Sequence, residues 1–199
     1  MQTRSLKDSF LYYCEKNNFE KNPYQLKIIE LFIKFISPKK RFLNLFSNKK
    51  QNKCFYLHGN IGVGKTMILN FVYDYLHIPK QRMHFNEFMI NFHDYRHKMK
   101  DKDNSISNFV KDLKKYKIIY LDEFQVTNIV DAMILGKLFE KIFNENIKII
   151  LTSNTKIDDL YSGGLQREQF LPFISIIKDN SISKELILDN DYRKLGLKK

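Results

Sequence analysis

The residues best suited to chemistry form one short run, Gly59-Asn60-Ile61-Gly62-Val63-Gly64-Lys65-Thr66. This is the G-x-x-x-x-G-K-[ST] pattern of a loop that cradles phosphates. Its glycines let the backbone approach a ligand closely and adopt conformations closed to other residues. An apolar run precedes the loop and a helical pattern follows, so successive N–H groups can face an anion at the positive end of a helix. Lys65 would then reach the β- and γ-phosphates of ATP, and the Thr66 hydroxyl would ligate Mg²⁺. The bland alternative is a glycine-rich turn without a ligand.

Two further runs could complete such a site. Ile118-Ile119-Tyr120-Leu121-Asp122-Glu123 is an apolar strand ending in acids. It would deliver carboxylates to the C-terminal edge of a sheet, where open α/β sheets bind ligands. Asp122 would hold Mg²⁺ through its water shell, and Glu123 would orient or deprotonate an attacking water, which favours an ATPase over a small-molecule kinase. Taken alone, the pair could equally cap a strand-to-loop transition. Ile149 to Asn154 is a second apolar strand with a polar end. If it lies beside the Asp122 strand, Asn154 can touch the γ-phosphate or the water; a polar turn is the other reading.

These groups need a scaffold that alternates strands with helices. Strand-like runs occur at Cys54–His58, Arg82–Phe85, Ile118–Asp122, Ile147–Thr152 and Glu185–Asp189. Helical spacing marks Thr66–Leu76, Glu87–Lys100, Ser105–Tyr116 and Ile129–Phe143. The alternation predicts an α/β fold with a five-stranded parallel sheet covered on both faces. Upstream, Ser5–Lys16 and Tyr24–Ile36 also carry helical spacing, with Pro23 at a helix start and Pro38 after its end. The expected division is a helical extension and basic linker over 1–50, a phosphate-loop core over 51–190 and a short stub over 191–199. Phe42, Leu43, Leu45 and Phe46 in the linker could dock on a neighbour.

Composition narrows the partners. The 199 residues carry 34 Lys+Arg against 22 Asp+Glu, a formal charge of +12, and the 43% hydrophobic content with 17 Phe excludes a disordered chain. No apolar run reaches the ~18 residues of a membrane span. Asp8, Glu15 and Glu20 make the N-terminus a poor signal peptide. Residues 1–50 hold eleven Lys/Arg and four Asp/Glu, and Lys39 to Lys53 contains six basic residues and no acid. The excess is thus local, and a lysine-rich solvated surface explains it more simply than nucleic acid does. Cys14 and Cys54 lack metal-site spacing and imply a reducing compartment without a zinc site or disulfide framework. His93 and His97 sit four apart on a helix, but no third ligand is evident and Asp94 stands where a metalloprotease needs glutamate, so they read as a solvated face. Met67 and Met133 fall at apolar helix positions and read as core.

Together the motifs resemble AAA+ ATPases. Four longer blocks, RMHFNEFM from Arg82, DEFQVTNIVDAMILGKLF from Asp122, ILTSN from Ile150 and DDLYSGGLQREQFLPFI from Asp158, resemble the ZapE/AFG-like ATPase family, over about Pro23 to Arg193. That family includes bacterial cell-division ATPases acting on the FtsZ ring and mitochondrial inner-membrane relatives linked to protein quality control. The resemblance implies a cytoplasmic enzyme, peripheral to the inner membrane or not, working on FtsZ or another protein client as a homo-oligomer. Asn154 matches the sensor asparagine, and Arg167 matches an arginine that would reach a neighbouring subunit's γ-phosphate; a surface arginine paired with Glu168 or Asp158 is the alternative. Gln25 resembles part of an N-terminal block near the adenine. The chain departs from the pattern at Asn86 and Asn128, where the family has His and Asp. It also ends six residues after Arg193, so the helical lid that follows in the family is expected to be missing. The rivals to a full ATPase are a nucleotide-dependent scaffold without turnover and, less favoured, a nucleic-acid-dependent ATPase.

Overall fold

The computed structural model describes residues 5–36 and 51–187. Most of the basic stretch and the 191–199 stub therefore lie outside the described residues, as do Phe42, Leu43, Leu45 and Phe46.

Five parallel strands form one sheet: β1 (Cys54–His58), β2 (Lys80–His84), β3 (Ile118–Asp122), β4 (Lys148–Ser153) and β5 (Ser181–Glu185). Their spatial order is β2-β3-β4-β1-β5, with the phosphate-loop strand β1 between β4 and β5. The helices are α1 (Leu6–Lys16), α2 (Pro23–Ile36), α3 (Lys65–Tyr75), α4 (Phe85–Lys98), α5 (Ser105–Leu113), α6 (Ile129–Asn144) and α7 (Leu171–Asn180), with 3₁₀ turns at Ile157–Asp159 and Arg167–Phe170.

The two-residue period of a strand explains how both sheet faces are covered. Phe55, Leu57, Ile118, Tyr120 and Ile150 point into an apolar cluster with residues of α1, α2 and α3. Cys54, Tyr56, Ile119, Leu121, Ile149 and Leu151 point the other way, into a larger cluster with α4, α5, α6 and α7. Burial is complete along β1 and β3, which is why these strands read as unbroken apolar runs. On the first face Phe32 of α2 stacks on Phe55, ring centroids 3.9 Å apart, so the N-terminal helices share a core with β1.

Several expectations need correction. β5 lies four residues earlier than the expected Glu185–Asp189. Its register with β1, Cys54 opposite Ser181 through His58 opposite Glu185, starts as soon as α7 ends at Asn180. Strand β2 ends at His84 and not Phe85, because Phe85 opens α4. Leu171–Asn180 forms α7, a helix that periodicity does not single out. Met133 is 55% exposed, against the expectation of a core methionine, whereas Met67 packs against the first cluster. Both cysteines are buried and free, in opposite clusters.

Candidate functional site

The glycine-rich loop leaves β1 at His58 and enters α3 at Lys65. Gly59, Gly62 and Gly64 have φ of 152°, 83° and 93°, a region that side chains with a Cβ rarely adopt. Two of them are also crowded. A Cβ on Gly59 would lie 2.3 Å from the Leu186 carbonyl oxygen, and one on Gly64 would lie 2.7 Å from Gln25 Nε2. The loop is thus shaped by its neighbours and delivers its amides to the first turn of α3.

Lys65 curls back over this loop. Its Nζ donates to the carbonyls of Gly59 (2.6 Å) and Asn60 (2.8 Å) and to Asn154 Oδ1 (2.9 Å). Burial holds its pKa below the ordinary lysine value, since desolvation disfavours the ammonium form. The Asn154 contact exists because β4 lies between β1 and β3, the condition on which the sequence reading of Asn154 depended.

The acids diverge at the end of β3. Asp122 is buried, and its Oδ1 accepts from the Thr152 hydroxyl at 3.2 Å. Glu123 turns outward with a left-handed φ of 55° and a side chain 81% exposed. Its N–H donates to the same Thr152 hydroxyl oxygen at 3.3 Å, and the Phe124 N–H donates to the Thr152 carbonyl at 2.7 Å. A non-glycine residue with that φ is held against its own preference, here by strand β4. Glu123 also lies 3.6 Å from His84 Nδ1 at the end of β2.

These elements enclose a cleft of about 570 Å³, lined on one side by Ile61, Gly62, Gly64, Lys65 and Thr66 and on the other by Glu123, Thr152 and Asn154. Thr66 and Glu123 also line an adjoining cavity of about 380 Å³ with Asp122 and Arg82. Gly59, Asn60 and Val63 belong to the same loop without lining the large cleft. Arg167 stands apart: it begins a 3₁₀ turn and donates to the Asp158 carbonyl at 2.7 Å. Of its two anticipated surface partners, Asp158 is thus engaged through its backbone, while the Asp158 carboxylate pairs with Lys178. Gln25 lies buried under the loop with Nε2 3.5 Å from the Val63 carbonyl, and does not line the cleft.

Arg82 is the residue that sequence reasoning missed. Its Nε and Nη2 donate to Asp122 Oδ2 at 2.8 and 2.6 Å, and its Nη1 donates to Asn70 Oδ1 at 2.5 Å. The only signal was a cation in the short run before His84; the pairing of β2 with β3 is needed to bring it to Asp122. His93 is also reassigned. It is not a solvated face but a partner of Asp131 at 2.7 Å, tying α4 to α6. Asn128 caps α6 and donates to the other Asp131 oxygen at 2.6 Å, so an asparagine avoids a second carboxylate there. Among the described residues, no group of three His, Cys, Asp or Glu is arranged to hold a metal ion, and no helix is long and apolar enough to cross a membrane.

Comparison with known proteins is consistent with this geometry. A family model for AFG1-like ATPases matches residues 18–199. The chain belongs to the AFG1-like ATPase family. Among similar proteins, lactation elevated protein 1 homolog B of Danio rerio is 35% identical over 157 residues, covering 72% of this chain and 31% of that protein. Cell division protein ZapE of Escherichia coli (strain K12) is 35% identical over 140 residues, covering 69% of this chain and 37% of that protein. The chain thus spans about a third of the length of these curated relatives. Solved structures place the fold among P-loop AAA+ proteins. AMPPCP-bound DnaA from Aquifex aeolicus aligns with TM-score 0.59 and 18% identity over 92% of this chain and 54% of that one. DnaI aligns with TM-score 0.55 and 20% identity over 81% and 82%.

Proposed function

We propose that this AFG1-like chain is the nucleotide-binding core of an enzyme that hydrolyses MgATP to ADP and phosphate. The observation that carries the reading is the convergence of Lys65, Glu123 and Asn154 on one cleft beside a loop whose glycines hold positive φ.

Each residue then has a role. The amides of residues 59–66 and the Lys65 ammonium bind the phosphates, which take over the contacts Lys65 makes with the loop carbonyls. Thr66 and Asp122 offer the hydroxyl and carboxylate oxygens that suit Mg²⁺, and they border one cavity. An Mg²⁺ ion held by these two residues would supply positive charge to offset that of the phosphates. Glu123, exposed and fixed at its backbone, accepts a proton from or orients the attacking water. Asn154 detects the γ-phosphate while contacting Lys65. Arg167, remote from its own cleft, completes the site of a neighbouring subunit in a homo-oligomer. A protein client follows from the likeness to cell division protein ZapE, with FtsZ as the first candidate; action at the inner membrane belongs to the same proposal.

Phosphate release measured across protein concentration tests this reading. Turnover per subunit should rise with concentration and fall by ~10³-fold or more in Arg167→Ala. Tight ATP binding with no phosphate release at any concentration would instead identify a nucleotide-dependent scaffold.

A further inference from the structure

Asp122 is not an open metal ligand. Its side chain is 8% exposed, and the Arg82 side chain facing it is 23% exposed. Two N–H groups of Arg82 converge on Oδ2, while Thr152 donates to Oδ1. The geometry follows from strand register. Arg82 lies opposite Tyr120 in the β2–β3 pair, so Asp122 is its diagonal neighbour two residues on, within reach of a long side chain. The guanidinium is anchored from behind by Asn70, one turn into α3.

We propose that Arg82 is a built-in counter-cation that keeps free divalent ions off Asp122 until nucleotide phosphates arrive. The inference rests on reading Thr66 and Asp122 as the metal-holding pair. A buried carboxylate without a partner is costly, and the Arg82 pairing offsets that cost. Mg²⁺ keeps most of its waters and is usually held by one or two carboxylates together with phosphate oxygens. A lone ion therefore meets a carboxylate already neutralised, with a fixed positive charge beside it in the cavity shared by Thr66, Arg82, Asp122 and Glu123. Triphosphate oxygens reverse this balance, because their combined negative charge outweighs one guanidinium. The ion then enters with the nucleotide and not before it. Arg82 acts through Asp122 and is a positioning residue.

The test is ion binding to the nucleotide-free protein, read by Mn²⁺ electron paramagnetic resonance and by thermal shift with Mg²⁺. The wild type should show no saturable binding in the low-millimolar range. Arg82→Gln should bind Mn²⁺ roughly tenfold or more tightly, as expected for removing a like charge a few ångströms from the ion. Adding Asp122→Asn should abolish that gain. Arg82→Lys, which keeps the charge, should stay near wild type. A folded Arg82→Gln protein that binds Mn²⁺ no better than wild type would overturn the proposal. If that variant does not fold, Asn70→Ala removes only the rear anchor and should give a smaller gain of about two- to threefold; unchanged or weaker binding there also overturns it. ATP calorimetry on the same samples separates the two readings. Lost ion discrimination with Lys65-dependent ATP binding intact would support both. Intact ATP binding without a gain in Mn²⁺ affinity would remove only the counter-cation.

Discussion

Replacing Thr152 with valine probes the link between the two acids. Thr152 is 4% exposed, and its one hydroxyl donates to Asp122 Oδ1 and accepts from the Glu123 N–H, at 3.2 and 3.3 Å. A hydrogen bond to a charged group contributes ~1.5–3 kcal/mol, and leaving a buried partner unsatisfied costs ~1–3 kcal/mol. Both contacts are slightly longer than the usual range, so the lower ends apply and the expected loss is about 2–3 kcal/mol. For a chain of this size that is a fall in Tm of roughly 4–12 °C. Thr152→Ser keeps the hydroxyl and loses a methyl, about 1 kcal/mol. Urea melts of the three proteins should rank wild type above serine and serine above valine. Burial of apolar surface alone predicts the reverse, with valine at or above wild type and serine lowest. The valine variant should also lose about tenfold in turnover, since Glu123 loses an anchor for its left-handed backbone. A valine variant as stable as wild type would refute the argument.

Two further outcomes follow from the same site. Gly64→Ala places a Cβ at φ 93° and 2.7 Å from Gln25 Nε2, costing ~1–2 kcal/mol in backbone strain alone; thermal melts should show a loss that Gln25→Ala relieves only in part, and calorimetry should show weaker ATP binding in both. Burial pushes the His58 imidazole below its ordinary 6.5, with Lys156 and Lys65 adding to the effect and Glu185 opposing it. The unfolded chain then takes up the proton more readily, so stability should decline as pH falls below about 6.5 and the decline should be shallower in His58→Gln, as urea melts at each pH can show.

The phosphate loop and the β3 acids are legible in the sequence because their chemistry is local. A buried strand, a glycine turn and a helix start occupy adjacent residues, and β1 and β3 are apolar up to their last residues, His58 and Asp122, since both sheet faces are covered. Arg82 is not legible in this way. Its partner lies 40 residues away, and only the register of β2 with β3 joins them. Strand β5 misled for a different reason. It pairs only with β1 at the sheet edge, and Ser181, Ser183 and Glu185 line an open polar cavity with His58 and Lys178, so its composition is less apolar than the residues just beyond it. In the sequence Asn128 stands out only as a departure from a family pattern; its role as the α6 cap depends on Asp131 lying beside it.

The most direct measurement is a calorimetric titration of MgATP into wild-type protein and Lys65→Ala, with folding of both checked by circular dichroism. Lys65 joins the loop carbonyls to Asn154 in the cleft. Binding to the wild type should be saturable, with a loss of about tenfold or more in the variant, the scale of a charge-assisted hydrogen bond. Equal affinities in two folded proteins would contradict this.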